Sequence, residues 1–406
     1  MLGRSTLFND IKFLLIKFII LMYIFKEFLR LQYSFDAYIP IITLILLLGV
    51  IAIVTFKGKI PLAVIFYGLI FHLSILSYII SGGVIGEGYY EGYFIYFLQP
   101  FIIWLSVSQG IVKSEKILIF ISKTTLISVA GSVFYYINLF FPFESYEELF
   151  SIELTTIGSK VVIRNTSIYG NSLVAAGIGL VQLCCAAMIV TEKRKSSIFM
   201  MFLAFIFIGA TLSRRSMVTG CLLFFILYLI SPKSIKNNII AIVGISSILV
   251  FAFFWEYVFI FFDRLISSID FSSKNLSNSS RINAMWMGLV VLFSNPLGVG
   301  FGSLSSLGKT VKNLDSSETF INVTESMYTT YAGEVGLVFI IPIFLLFYLS
   351  ISKKNKIIKF LFIYIFIIES IMGLSLLNPA VNFMFFLVYF SYNQDYFFKK
   401  NVIIKL

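Results

Sequence analysis

Residues Ile168 to Val190 read IYGNSLVAAGIGLVQLCCAAMIV, a run without a single charged side chain. A helix needs roughly 20 mostly apolar residues to cross the hydrocarbon core of a bilayer, and this run reaches that length. Comparable runs recur from one end of the chain to the other. The segment therefore predicts a membrane-spanning helix that is one of many.

The overall composition agrees with this prediction. Of the 406 residues, 59% are apolar and 13% are charged, and the mean hydropathy is +0.96. This pattern predicts an all-α polytopic membrane protein, with residues 1–406 forming a single integral membrane domain. About twelve transmembrane helices are expected, near 13–31, 37–56, 61–80, 93–112, 117–140, 168–190, 198–212, 217–230, 239–262, 328–350, 357–375 and 380–394.

The distribution of Lys and Arg predicts the orientation of these spans. One set of alternate connecting segments, together with both termini, carries a large excess of bases over acids. The other set carries slightly more acids than bases. Both termini are therefore expected in the cytoplasm. The net charge of +11 then reflects topology, and no nucleic-acid partner is expected.

Two long hydrophilic segments, 141–167 and 263–327, fall on the predicted outer face. They are expected to form an extracytoplasmic subdomain of short helices. Within the second, the Ser/Asn-rich stretch 267–280 is predicted to be a solvated linker. The apolar helix near 282–294 is too short to span, and Asn295-Pro296 should end it. It is predicted to be re-entrant or interfacial.

Fixed charges in these outer segments suggest a ligand. Arg164, Arg214 and Arg281 carry guanidinium groups, which cannot be deprotonated and match phosphate geometry as a fork. A lipid-linked diphosphate is the ligand that this arrangement suits. Each arginine can equally serve as an interfacial anchor or as a partner for the glutamates of segment 141–167. Glu325 can equally be a solvated loop acid or a charge at a helix N-terminus.

The order of short motifs resembles the O-antigen ligase and polymerase superfamily of bacterial surface polysaccharide synthesis. The similarity lies between about Arg164 and Leu346, under half of the chain. The matching segments are Arg164 with Tyr169-Gly-Asn171, Ala210-Thr-Leu-Ser-Arg-Arg215, Arg281 through Trp286 followed by Asn295-Pro-Leu-Gly-Val-Gly300, and Thr324-Glu-Ser-Met-Tyr328 followed by Gly333-Glu-Val-Gly336.

This resemblance implies an O-antigen polymerase, a glycosyltransferase. Such an enzyme transfers the growing glycan from undecaprenyl diphosphate to the next undecaprenyl-diphosphate-linked unit at the outer face of the bacterial plasma (inner) membrane. The catalytic residues implied are Arg214, Arg281 and Glu325, with Glu325 as the base. The substrate-binding residues implied are Arg164, Arg215, Asn171, Tyr328 and Glu334.

Further expectations concern partners and alternatives. A membrane lipid, a chain-length regulator and a flippase are the other expected partners. No cofactor is expected, and no metal site, because the outer segments contain no Asp-x-Asp motif and no His cluster. A ligase is an alternative, although the ligase relatives carry His where this chain has Glu325. A polysaccharide flippase or other transporter is the second alternative, and it would place its charges along a central cavity.

Overall fold

The computed structural model describes most of the predicted helices. The described residues are 2–33, 38–56, 59–80, 90, 92–109, 114–141, 153–157, 160–191, 196–231, 233, 236–237, 239–240, 244, 259, 276–300, 326–339, 378–392 and 403–405. The predicted span at 357–375 lies wholly outside them, and the span at 239–262 lies mostly outside them. Of the predicted span at 328–350, residues 328–339 are described.

The described part is predominantly helical, which confirms the main part of the all-α prediction. The α-helices are α1 Leu2–Ile24, α2 Lys26–Tyr33, α3 Tyr38–Val54, α4 Leu62–Ile80, α5 Gln99–Ser108, α6 Ser114–Phe140, α7 Ser172–Thr191, α8 Ser196–Ala210, α9 Arg214–Ile230, α10 Leu276–Ser294, α11 Met327–Val335 and α12 Pro379–Tyr392. A π-helical turn, Phe94–Leu98, precedes α5, and 3₁₀ turns cover Ser167–Tyr169 and Gly336–Phe339.

Two of these helices are long and apolar enough to cross a membrane, namely the parts of α6 and α7 at Glu115–Phe140 and Ser172–Val190. Six further apolar helices in the described part of the chain have 10 to 17 residues each. The two long helices are candidate membrane spans, and the count of twelve remains a prediction.

The chain divides into two compact units. The first comprises Met1–Lys12, Ile45–Ile111 and Phe271–Leu406, and the second comprises Phe13–Leu44 and Val112–Asp270.

Helix α7 is the central helix of the second unit. Its residues from Ala175 to Val190 are all buried, against helices α6 and α8. At Gly179 the helices approach closely, because a Cβ there would lie 2.8 Å from Cγ1 of Ile208. A helix that is apolar all round is expected to be buried on every side, and α7 has this character within its unit.

The helices predicted at 198–212 and 217–230 are separated in sequence only by Ser213-Arg-Arg-Ser216. They form a helical hairpin in the second unit, as α8 and α9. The two helices pack through Phe205 and Phe224, whose rings lie 4.9 Å apart in an edge-to-face arrangement. The connecting turn consists of residues 211–213, so α9 begins at Arg214.

In the first unit, α5 and α12 pack together. The rings of Trp104 and Phe390 stack at 4.8 Å. The buried Gln99 amide donates to Pro379 O and Asn382 Oδ1, at 2.9 Å each. A two-stranded antiparallel pairing of β1 Lys59–Pro61 with β4 Ile403–Lys405 also belongs to this unit.

The expectation of short helices is wrong for the described part of the outer segment 141–167. Strands β2 Glu153–Ile157 and β3 Lys160–Arg164 form an antiparallel hairpin that pairs Glu153 with Arg164. These strands are rich in Thr, Val and Ile, whose branched Cβ atoms favour extended backbone over helix.

The boundary predicted between linker and helix in segment 263–327 is also wrong. Helix α10 begins at Leu276, inside the stretch 267–280 expected to be a linker, and it ends at Ser294 as Asn295-Pro296 predicts. Once the apolar part of the helix has formed, each added residue gains one backbone hydrogen bond, so the helix extends into polar sequence.

Candidate functional site

Arg164 connects the β-hairpin to the turn between α8 and α9. One of its terminal guanidinium nitrogens lies 3.6 Å from Oε2 of Glu153, and both side chains are partly exposed. Its Nε donates to the carbonyl oxygen of Thr211 at 3.3 Å. The backbone amide of the neighbouring Asn165 donates to Ala210 O, also at 3.3 Å. The end of strand β3 is therefore held against the end of helix α8.

The turn at 211–213 places two predicted site residues at the start of α9. Leu212 has φ +50°, a left-handed conformation that reverses the chain. Ser213 is the extended residue before the helix, and its hydroxyl lies 3.1 Å from that of Ser216. Arg214 and Arg215 are the first residues of α9. The structure thus brings the Arg164 segment and the Ser213-Arg-Arg segment to the same place in the second unit.

The start of α7 lies beside this junction. Oδ1 of Asn171 accepts from the amides of Leu173 at 2.8 Å and Val174 at 3.2 Å, the arrangement of an N-terminal helix cap. The Glu153 carboxylate accepts from the Ser172 amide at 3.1 Å and from the Ser172 hydroxyl. Asn171 thus has a local structural role that the sequence-based assignment to substrate binding did not include.

A buried cluster of polar side chains links α6 to α7. Gln182 is fully buried and donates to Thr124 Oγ1 at 3.0 Å and Ser128 Oγ at 2.9 Å. The Ser128 hydroxyl also bonds the Tyr169 hydroxyl at 2.7 Å, and Ser167 Oγ donates to the Ser128 carbonyl at 2.9 Å. In an apolar surrounding, such bonds determine which helix faces pair.

The segment that follows Arg164 is anchored to this cluster through Ser167 and Tyr169. Residues 165–169 lead directly from Arg164 to α7, and the Tyr135 hydroxyl donates to the Arg164 carbonyl at 2.9 Å. Sequence reasoning did not identify these supporting residues. The signal available was the presence of Gln182 within an apolar segment predicted to span the membrane.

In the first unit, two of the Gly-containing motifs pair through their backbones. The amides of Val299 and Gly300 donate to Gly333 O at 2.9 Å and Glu334 O at 3.0 Å, and the Leu337 amide donates to Pro296 O at 2.8 Å. The Gly-rich stretch 298–300 therefore runs alongside the end of α11. At Gly298 the chain therefore faces a second backbone, that of Glu334 and Gly336.

Helix α11 carries two of the predicted substrate-binding residues. Glu334 is 2% exposed, and Tyr328 is half-buried. Helix α10, which contains Arg281, packs against α11 where Gly288 meets Thr329, because a Cβ on Gly288 would lie 2.9 Å from the Thr329 carbonyl oxygen. The motif around Arg281 and the motif around Tyr328 are thus neighbours in this unit.

Three of the predicted residues are described only in part or not at all. The backbones of Arg214 and Arg281 are described, as the first residue of α9 and a residue of α10. Their side chains and the whole of Glu325 lie outside the described residues. Within the part of the chain that the structure describes, no three His, Cys, Asp or Glu side chains are grouped closely enough to hold a metal ion. No family model, curated protein or solved structure matches this chain.

Proposed function

We propose that this chain is a polytopic plasma-membrane enzyme that polymerises oligosaccharide repeat units carried on undecaprenyl diphosphate. The growing glycan is transferred from its lipid carrier to the next lipid-linked unit at the outer face of the membrane, in O-antigen or capsule synthesis. The observation that carries the proposal is the junction of Arg164 with the turn before Arg214 and Arg215. The two segments that carry these arginines are well separated in sequence, and they meet in the second unit.

The chemistry explains why arginines should be gathered. A hydroxyl of the acceptor sugar attacks the anomeric carbon of the donor sugar, and the bond from that carbon to the diphosphate oxygen breaks. The hydroxyl proton passes to a base, for which Glu325 is the sequence-based candidate. The electron pair of the broken bond leaves on undecaprenyl diphosphate. Negative charge therefore grows on the leaving group as the reaction proceeds.

Guanidinium groups held beside the diphosphate stabilise that charge. A unit charge pair at 4 Å contributes about 4 kcal/mol at an effective dielectric constant of about 20. Contacts that are in place before the charge develops lower the barrier, because no reorganisation is needed during the reaction. In this proposal Arg214 binds the diphosphate, and Arg281 remains a sequence-based candidate for the same role. Arg164 helps to stabilise the same negative charge, and its bond to Thr211 holds the turn that precedes Arg214 and Arg215.

The proposal includes about twelve membrane spans with both termini in the cytoplasm. Its structural support is the set of apolar helices and the two candidate spans. Helix α10 provides a second support, because Trp286, Val290 and Phe293 form one exposed apolar stripe that Leu297 continues past the helix end. The opposite face, with Gly288, is buried. This pattern is typical of a helix that lies in the membrane interface.

The position of Trp286 provides a test of the membrane assignment. Trp286 is 63% exposed, whereas Trp104 is 0% exposed. In a variant that retains only Trp286, with Trp104 and Trp255 replaced by Phe, we expect bromine-labelled lipids to quench the fluorescence in reconstituted bilayers. The matched variant that retains only Trp104 should be quenched far less. Equally weak quenching of the two variants would show that the stripe on α10 does not face lipid.

The glycan made by a deletion strain tests the enzymatic assignment. We expect deletion to remove long polysaccharide chains while single repeat units are still displayed, because synthesis and translocation of each unit do not need the polymerase. Electrophoresis of the surface polysaccharide measures this chain-length distribution. Loss of every surface repeat would instead indicate a flippase, and free long chains that are not attached to lipid A-core would indicate a ligase.

A further inference from the structure

Three different groups surround the Glu153 carboxylate: a backbone amide, a hydroxyl and a guanidinium. The Ser172 amide donates to Oε1 at 3.1 Å, the Ser172 hydroxyl donates to Oε2, and the Arg164 guanidinium lies 3.6 Å from Oε2. The register of the β-hairpin brings Glu153 there, because it pairs Glu153 directly with Arg164. The pairing of the two strands therefore determines the position of the Glu153 carboxylate.

The ion pair between Arg164 and Glu153 is loose. Charge-assisted hydrogen bonds between a guanidinium and a carboxylate usually measure about 2.7–2.9 Å, which is well below the 3.6 Å found here. The two side chains retain 19% and 25% of their exposure, so solvent screens the pair and contributes to its weakness. A second anion that carries more charge than one carboxylate can therefore compete for the same arginine.

We propose that Glu153 is an internal competitor of the substrate, an autoinhibitory carboxylate that a phosphate group of the lipid-linked diphosphate displaces from Arg164. This inference rests on the proposed function. Without substrate, the carboxylate lies beside the guanidinium, whose Nε is bonded to the Thr211 carbonyl. When substrate binds, a phosphate oxygen replaces the carboxylate oxygen at Arg164. Glu153 retains its two bonds to Ser172 or releases them, and no covalent bond is changed.

The exchange has a measurable consequence for affinity. If Arg164 is available only in the fraction of molecules in which Glu153 has moved away, the apparent affinity is lowered by that fraction. Removing the charge of Glu153 should therefore tighten anion binding. A residue with a purely structural role would give the opposite sign, because its loss loosens the hairpin and weakens binding.

The decisive experiment compares wild type with Glu153→Gln, purified as full-length protein in detergent. Two probes are titrated by calorimetry, inorganic pyrophosphate and undecaprenyl diphosphate. We expect Glu153→Gln to bind both more tightly, by roughly fivefold, the change that corresponds to loss of one partly exposed ion pair. In an Arg164→Gln background the same change should have no effect, because the competition is for Arg164.

Controls separate exchange from damage to the hairpin. Leu154→Ala changes the next residue of strand β2, whose side chain is 63% exposed, and should leave both affinities at the wild-type value. Glu153→Asp keeps the charge on a shorter side chain, so its affinities should fall between those of wild type and Glu153→Gln. Unchanged or weaker binding in both Glu153 variants would overturn the exchange, and so would equal tightening in the Arg164→Gln background.

The two probes distinguish failure of this inference from failure of the proposed function. Equal binding of undecaprenyl diphosphate by wild type and Glu153→Gln would overturn the exchange and leave the function standing. Tightened binding of pyrophosphate without any binding of undecaprenyl diphosphate would support the exchange at Arg164 and overturn the lipid-linked substrate. Binding of neither probe by either protein would overturn both.

Discussion

Arg214→Ala is expected to reduce polymerisation by roughly 10²–10³-fold, the loss that follows removal of one preorganised charge-stabilising donor. Arg214 is the first residue of α9, and the turn before it is bonded to Arg164 through Thr211. The substitution leaves Ser213, the residue that precedes the helix, in place. Alanine is also a good helix former, so the helix itself should persist.

Incorporation of lipid-linked repeat units into long chains by the reconstituted enzyme measures this effect. Lys233→Ala is the matched control, because Lys233 is an exposed base beyond the other end of α9. It should polymerise at the wild-type rate. Arg214→Lys should retain part of the activity, since an ammonium supplies charge without the planar fork. If Arg214→Ala makes long chains at the normal rate, Arg214 does not take part in catalysis.

Gly298→Ala should lower the free energy of unfolding by about 3 kcal/mol or more, through strain and a backbone clash together. Gly298 has φ +87°, where a side chain is disfavoured. A Cβ there would collide with the Glu334 carbonyl oxygen and lie 2.7 Å from the Gly336 amide nitrogen. Both neighbours are backbone atoms, so no rotamer change can relieve the collision. The pairing of segment 298–300 with the end of α11 should open.

Denaturant-induced unfolding in micelles, monitored by circular dichroism, measures the loss. Gly49→Ala is the matched control in the same unit, because a Cβ there meets only the Ile102 side chain, at 3.5 Å. In the middle of helix α3 this change should be neutral or stabilising, by up to about 1 kcal/mol. The free energies of unfolding of the two Gly→Ala variants should therefore differ by about 3 kcal/mol or more. A Gly298→Ala protein as stable as wild type would contradict the close backbone approach.

Much of the helical architecture can be predicted from the sequence, because apolar runs are a local signal. The run at 168–190 predicts the helix found at Ser172–Thr191, and the charged Ser213-Arg-Arg-Ser216 interruption predicts the hairpin of α8 and α9. The β-hairpin at Glu153–Arg164 was missed. Its strands have only five residues each, and they lie within a hydrophilic segment whose overall composition carries no clear strand signal.

The candidate site was predictable in its residue types and not in its contacts. The sequence places Arg164 and Arg214 on the same predicted face, and the structure brings their segments together through Thr211. Four acids precede Arg164 in the first outer segment, and nothing in their order distinguishes Glu153 as its partner. Strand register makes that choice, since it pairs Glu153 with Arg164.

By itself, the sequence determined the helical class, the positions of most described helices and the presence of arginines in the hydrophilic segments. Those properties follow from hydropathy and charge, which each residue contributes independently of its distant neighbours. Only the tertiary structure decided that Glu153 faces Arg164, that Gln182 binds Ser128, and that Gly298 meets the backbone of Glu334. Each of these contacts joins residues from different elements, so each depends on packing distances that no local pattern encodes.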